Sequence, residues 1–171
     1  NEKIIEKVQE GIFEIGICFE PQLSHQLSFQ PLFYEDFVAL VPKDHPLTSK
    51  QSVSMAELCG YPFITLQKPS IIRYVIEQSC EKNNQVLDLK VECHQISSLS
   101  HFIAFGMGVS AIPRHFGQFI DPEKNVILEI TDDNVQLALG ILYKKEAELS
   151  NLSTEFIECI LKHSFAAITA M

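Results

Sequence analysis

Three serines stand where a helix is about to begin: Ser70, after the polar loop Gln67-Lys68-Pro69, and the pair Ser97-Ser98, ahead of Leu99, Phe102 and Ile103. Helix amino ends carry free amides and about half a positive charge, so hydroxyls beside them form a receptor for a small anion such as a carboxylate, sulfate or phosphate. The same serines can cap their own helices, and sequence alone leaves both uses open. Arg73, in the first turn after Ser70, is a two-point carboxylate clamp if it faces the loop; otherwise it faces solvent or ties the lobe together. The stretch "FGMGVSAIPRH" (105–115) raises a phosphate-binding alternative through Gly106-Met107-Gly108. A dinucleotide loop, however, runs strand, Gly-x-Gly-x-x-Gly, helix. This stretch follows a helix, precedes a strand and has Ala111 in the place of the third glycine. Gly106 is expected to end the helix and Gly108 to let the chain approach a sheet closely. Pro113 is expected to close the strand, with Arg114 at its end.

Other chemistry has little support. There is no Gly-x-Ser-x-Gly elbow, no Gly-x-x-x-x-Gly-Lys-Ser/Thr loop and no His-Glu-x-x-His helix, and Asp132-Asp133 reads as a solvated turn. No catalytic residue, metal or cofactor is expected. The five cysteines, Cys18, Cys59, Cys80, Cys93 and Cys159, form no C-x-x-C pair and read as buried thiols of a reducing cytoplasm. Cys59 and Cys93 are the nearest candidates for a reactive thiol, against the commoner use of such residues in packing. With 22 acidic and 13 basic residues the net charge is -9, and only Arg73 and Arg114 are arginines, which argues against a sequence-independent grip on nucleic acid. No apolar run approaches the roughly 20 residues of a membrane span, and no charged-then-apolar leader opens the sequence, so a soluble chain is expected.

The elements that must position these groups alternate. Ile4, Ile5, Val8 and Ile12 recur at helical spacing up to Gly11, followed by a strand over Phe13–Ile17 and the loop Phe19-Glu20-Pro21. A buried strand is expected from Phe33 or Tyr34 to Val41, ending at Pro42. Ser54 and Glu57 have capping-box spacing at the head of a short helix that stops at Gly60-Tyr61-Pro62. Phe63–Leu66, the loop with Ser70, and a helix through Ile72, Val75 and Ile76 form one strand-loop-helix unit; Leu87–Cys93 and the helix after Ser97-Ser98 repeat it. Strands follow at Val109–Ile112, Val126–Ile130 and Val135–Tyr143, then a helix from about Ser150 with Leu152, Phe156, Ile157, Ile160 and Leu161 inward. At 171 residues and 46% hydrophobic, this pattern predicts an α/β chain with mainly parallel sheet, in two lobes.

"GIFEIGI", "PLFYEDFVALVPKDHPL", "MAELCGYPFITL" and "FIAFGMGVSAIP" together resemble the effector-binding domain of LysR-type transcriptional regulators, over nearly the whole chain. Gly11, Gly16, Leu32, Leu40, Val41, Pro42, His45, Pro46, Leu47, Gly106, Gly108 and Pro113 stand at matching positions, whereas Glu14-Ile15 replace the family's usual Leu-Asp. The resemblance implies two Rossmann-like lobes joined by two crossing strands, as in type II periplasmic binding proteins. Lobe I would be residues 1–42 plus 131–171, and lobe II residues 43–130. The family's first strand would precede residue 1. A small-molecule effector, an organic anion being one class, is implied in the inter-lobe cleft near Phe19, Glu20, Pro21, Gln67, Pro69, Ser70, Ser97, Ser98, Pro113 and Arg114. Glu20 would repel an anion. The resemblance also implies a cytoplasmic homodimer or homotetramer that meets DNA only through a winged helix-turn-helix domain not in this sequence, with no membrane contact. Its apolar helix faces over Ile4–Val8 and Leu99–Phe105 would serve core or interface. The alternative on the same fold is a solute-binding protein of a transport system.

Overall fold

The computed structural model describes residues 1–21, 25–133 and 135–168, the side chains of 163–168 excepted. The chain forms two compact units, Asn1–Tyr34 with Leu137–Met171 and Glu35–Gln136. The divisions fall inside two strands, β2 (Leu27–Pro42) and β8 (Gln136–Lys144), rather than at Pro42 and Thr131.

In the first unit α1 (Glu2–Gln9) precedes β1 (Ile15–Phe19), and β8 stands between β1 and β2. β1 and β8 are antiparallel, with Ile15 opposite Tyr143 and Phe19 opposite Leu139. Val8, Cys18, Leu27 and Leu142 make the core, with Ile4, Ile5 and Phe29 packed against it. The strand starts at Ile15 rather than Phe13 because the amides of Ile12 and Phe13 turn back to the carbonyl of Lys7 at 2.9 and 3.1 Å, closing α1. α5 (Asn151–Ile168) begins where Ser150 and Ser153 donate their hydroxyls to Glu14. That anchor sets the helix rotation. Ile157, Ile160 and Leu161 are half-buried, while Leu152 and Phe156, expected inward, are 77% and 45% exposed. Cys159, expected buried, is also exposed.

The second unit holds β3 (Ser52–Val53), β4 (Pro62–Leu66), β5 (Asp88–Cys93), β6 (Ser110–Pro113), β7 (Asn125–Ile130) and the second half of β2. β3 is parallel to β7, β4 to β5, and Phe63 makes a parallel bridge to Val109 at the foot of β6. β2 runs antiparallel to both β6 and β7, with Phe37 opposite Pro113 and Ala39 opposite Leu128. The expected parallel order therefore holds here around one reversed strand, while β1 and β8 break it in the first unit. α2 (Met55–Leu58), α3 (Ile71–Lys82) and α4 (Ile96–Ala104) supply Leu58, Ile76, Leu99 and Ile103 to a core with Phe63, Ile64 and Ile112, all at most 1% exposed. Each such burial is worth roughly 1.5–3 kcal/mol of transfer free energy.

Local chemistry sets the helix ends. Ser54 and Glu57 make both bonds of the capping box. α4 closes by the two-bond left-handed cap: Gly106, at φ 74°, donates to Ile103 at 2.8 Å and Met107 to Phe102 at 3.2 Å. Asn84, at φ 53°, closes α3 in the same way, its amide donating to Glu81 and that of Gln85 to Cys80. Gly108 lies against the neighbouring chain so closely that a Cβ there would stand 2.4 Å from the Pro62 carbonyl oxygen. Gly106 and Gly108 thus do what their sequence context predicts.

Candidate functional site

Because β4 and β5 are parallel, their carboxyl ends lie side by side, with Leu66 paired to Cys93. The backbone N–H of Gln67 donates to the Cys93 carbonyl at 2.8 Å, so the loop into α3 and the loop into α4 leave the sheet together. The parallel bridge from β4 to Val109 brings the end of β6, Pro113, to the same edge. Carboxyl edges of parallel sheets are where α/β proteins take ligands, since helix amino ends converge there. This edge therefore gathers Gln67, Pro69, Ser70, Ser97, Ser98, Pro113 and Arg114.

The serines do not cap as expected. Ser70 is the N-cap residue of α3, with extended backbone, yet its side chain makes no capping bond. The N-cap of α4 is Gln95, also without a capping bond, which puts Ser97 and Ser98 in the first turn, both exposed. Ser97 Oγ lies 3.5 Å from Gln95 Oε1, and its carbonyl receives Ser100 Oγ at 2.9 Å. Neither helix start is covered by its own side chain.

Both arginines are engaged by carboxylates. Arg73 is 7% exposed and donates to Glu77 at 2.7 Å, to Glu92 and to the Leu66 carbonyl at 3.5 Å, tying α3 to both parallel strands. Against the burial that raises it, Arg73 and Lys68 hold the Glu77 carboxyl below its ordinary value. Arg114 forms a two-point pair with Glu129 at 2.8 and 2.5 Å, which lowers the Glu129 carboxyl. Beside Pro113, Glu35 accepts the His115 amide at 2.7 Å, adding a carboxylate to the same edge. Sequence gave no sign of Glu35, Glu92 or Glu129; only Glu77, four residues after Arg73 on one helix, was within reach of pattern reading.

Phe19, Glu20 and Pro21 belong to the first unit. Asn1 brackets Phe19, donating to its carbonyl at 3.1 Å and accepting its amide at 2.9 Å, and Glu20 N–H donates to the Ala138 carbonyl at 2.8 Å. Glu20 is exposed. Asp132, expected in a solvated turn, instead accepts the Met55 amide at 2.7 Å and Asn83 Nδ2 at 3.2 Å, binding α2 to the end of α3. Among the described residues no group of three or more His, Cys, Asp and Glu side chains could hold a metal ion, and no helix is long and apolar enough to cross a membrane.

A family model described as the LysR substrate binding domain matches residues 1–164. The chain belongs to that family. Among proteins similar to this LysR substrate-binding domain is the Hca operon transcriptional activator HcaR of Escherichia coli, 26% identical over 96% of this chain and 55% of that protein. Another is the uncharacterized HTH-type transcriptional regulator YybE of Bacillus subtilis, 25% identical over 94% of this chain and 54% of that protein. The domain thus spans about half the length of these curated relatives. Its fold matches the effector-binding domain of QuiR in complex with shikimate, with a TM-score of 0.84 and 18% identity over 97% of this chain and 78% of that one. It also matches the Synechocystis PCC6803 CcmR regulatory domain in complex with 2-PG, with a TM-score of 0.82 and 21% identity over 95% of this chain and 79% of that one. These likenesses place it in the α/β, type II periplasmic-binding-protein-like class.

Proposed function

We propose that the chain is the effector-sensing domain of a transcription regulator. It takes a small organic acid at the carboxyl edge of the second unit's sheet, and the longer protein that carries it contacts DNA through a helix-turn-helix domain. The observation that carries this reading is the side-by-side departure of two uncapped helix starts, α3 and α4, from paired strand ends. Amides and hydroxyls, rather than a guanidinium, recognise the acid, since Arg73 and Arg114 are held by Glu77, Glu92 and Glu129. A ligand shifts the regulator only by binding one arrangement better than another, so the sensed change is read out in oligomer geometry, a homodimer or homotetramer, in the cytoplasm. This role involves no enzyme activity.

The transport-protein reading has less support, because the similar curated proteins are regulators. The test is a thermal-shift and calorimetric screen of small carboxylic and phosphorylated acids, with shikimate among the probes. Saturable binding that is lost in Ser70→Ala/Ser97→Ala supports the site. Stabilisation by none of the acids defeats the proposal.

A further inference from the structure

Cys59 closes α2 and Cys80 lies in the last turn of α3; both are buried, and their sulfurs stand 2.9 Å apart. Two sulfurs in mere van der Waals contact rest farther apart than this, and a disulfide requires about 2.05 Å. We propose that Cys59 and Cys80 form an oxidisable dithiol that a peroxide converts to an intrachain disulfide.

The two sulfurs are held in place from outside. Asp132 grips the first amide of α2 through Met55 and the end of α3 through Asn83, at 2.7 and 3.2 Å, fixing the sulfur-bearing helices against each other. Cys80 also lines a cleft of about 340 Å³ with Lys68, Arg73, Glu77, Val86 and Leu89, wide enough to admit a molecule of peroxide size. Cys59 keeps the larger solvent contact, 7% against 2%. Either thiol can donate across this contact, and the pairing lowers the Cys59 thiol while it and burial raise the Cys80 thiol.

The steps balance. The Cys59 thiolate attacks one peroxide oxygen; an S–O bond forms as the O–O bond breaks, and the departing hydroxide takes a proton to become water. The Cys80 sulfur then displaces the sulfenic hydroxyl, the S–S bond forms, and that hydroxyl leaves with the Cys80 proton as a second water. Two thiols lose two electrons in all, and one peroxide is reduced to two waters. The resulting ring encloses β4, the Gln67–Ser70 loop and the start of α3, so the oxidised form constrains one root of the candidate site.

The test uses the reduced chain and hydrogen peroxide, with alkylation under denaturing conditions and non-reducing peptide mapping. The expected result is a loss of about 2 Da, reversed by dithiothreitol, with the Cys59 and Cys80 peptides joined. Cys59→Ser and Cys80→Ser each abolish the joined product, and in Cys80→Ser a sulfenic-acid probe labels the oxidised Cys59. Wild-type mapping decides the matter even if a variant folds poorly. Full recovery of both residues as free thiols under excess peroxide overturns the proposal. So does pairing of either with Cys18, Cys93 or Cys159, or oxidation of either to sulfinic acid without joining.

Discussion

The backbone N–H of Gln67 meets the carbonyl of Cys93 across 2.8 Å, joining the root of one helix-leading loop to the end of the strand that feeds the other. Two helix starts are thereby fixed as a pair, and a charge placed in one is felt at both.

Ser97→Asp puts a carboxylate into the first turn of α4, which lacks a capping side chain. The helix end welcomes the charge, so the domain gains about 0.3–1 kcal/mol, read as a higher urea midpoint. A bound organic anion meets the same charge as repulsion and loses about 1 kcal/mol or more, read by calorimetry. If stability and anion affinity rise together, the anion binds elsewhere.

Arg73 is buried while its partner Glu92 is about half exposed. Arg73→Met removes the buried charge but strands Glu77, 28% exposed, beside the apolar side chain. A fully buried pair would lose about 3–5 kcal/mol; water at the carboxylates reduces this to about 2 kcal/mol. Arg73→Lys falls between, because one ammonium cannot reproduce the fork. Chemical denaturation in the order wild type, Lys, Met checks the ranking, and equal stability of all three sinks it.

Two neighbouring glycines separate two kinds of cost. A Cβ on Gly106 meets nothing within 4 Å, so Gly106→Ala costs only its left-handed backbone, about 1–2 kcal/mol. Gly108→Ala drives a methyl to 2.4 Å from the Pro62 carbonyl, forcing β4 and the foot of β6 apart, and costs about 3 kcal/mol or more. Thermal unfolding should show the second variant well below the first.

The Lys50 pair and the Ser54 amide hold the Glu57 carboxyl down to about 2, from an ordinary 4.5. A depressed folded value means that the carboxylate's contribution is complete above about pH 4.5 and fades as pH falls toward 2. The gap in urea midpoint between wild type and Glu57→Gln should stay level from about pH 7 to 5 and narrow below. A gap that widens in acid contradicts the capping role.

Features made by short stretches of chain were legible before folding. The Ser54–Glu57 box spans four residues, and the Gly106 cap joins residues at most five apart, so each carries its own signature. What needed tertiary register was not legible. Glu129 reaches Arg114 from 15 residues away, and Asp132 reaches Met55 from 77. Nothing local marks Asp132 as a tie, and a pair of acids in a turn ordinarily faces water. α5 shows a subtler gap. Periodicity revealed that the helix has an apolar stripe, while its rotation was decided by Glu14, far away in sequence, catching Ser150 and Ser153.

The membership of β2 in both compact units has a practical consequence. Residues Leu27–Tyr34 are counted with one and Glu35–Pro42 with the other, and the burial of Phe37–Val41 is close to complete. Amide hydrogen exchange along this single strand is therefore a built-in ruler: its first half reports the opening of one unit and its second half the opening of the other. A ligand that tightens only one unit should leave a step in protection between Tyr34 and Glu35, visible without any label or mutation.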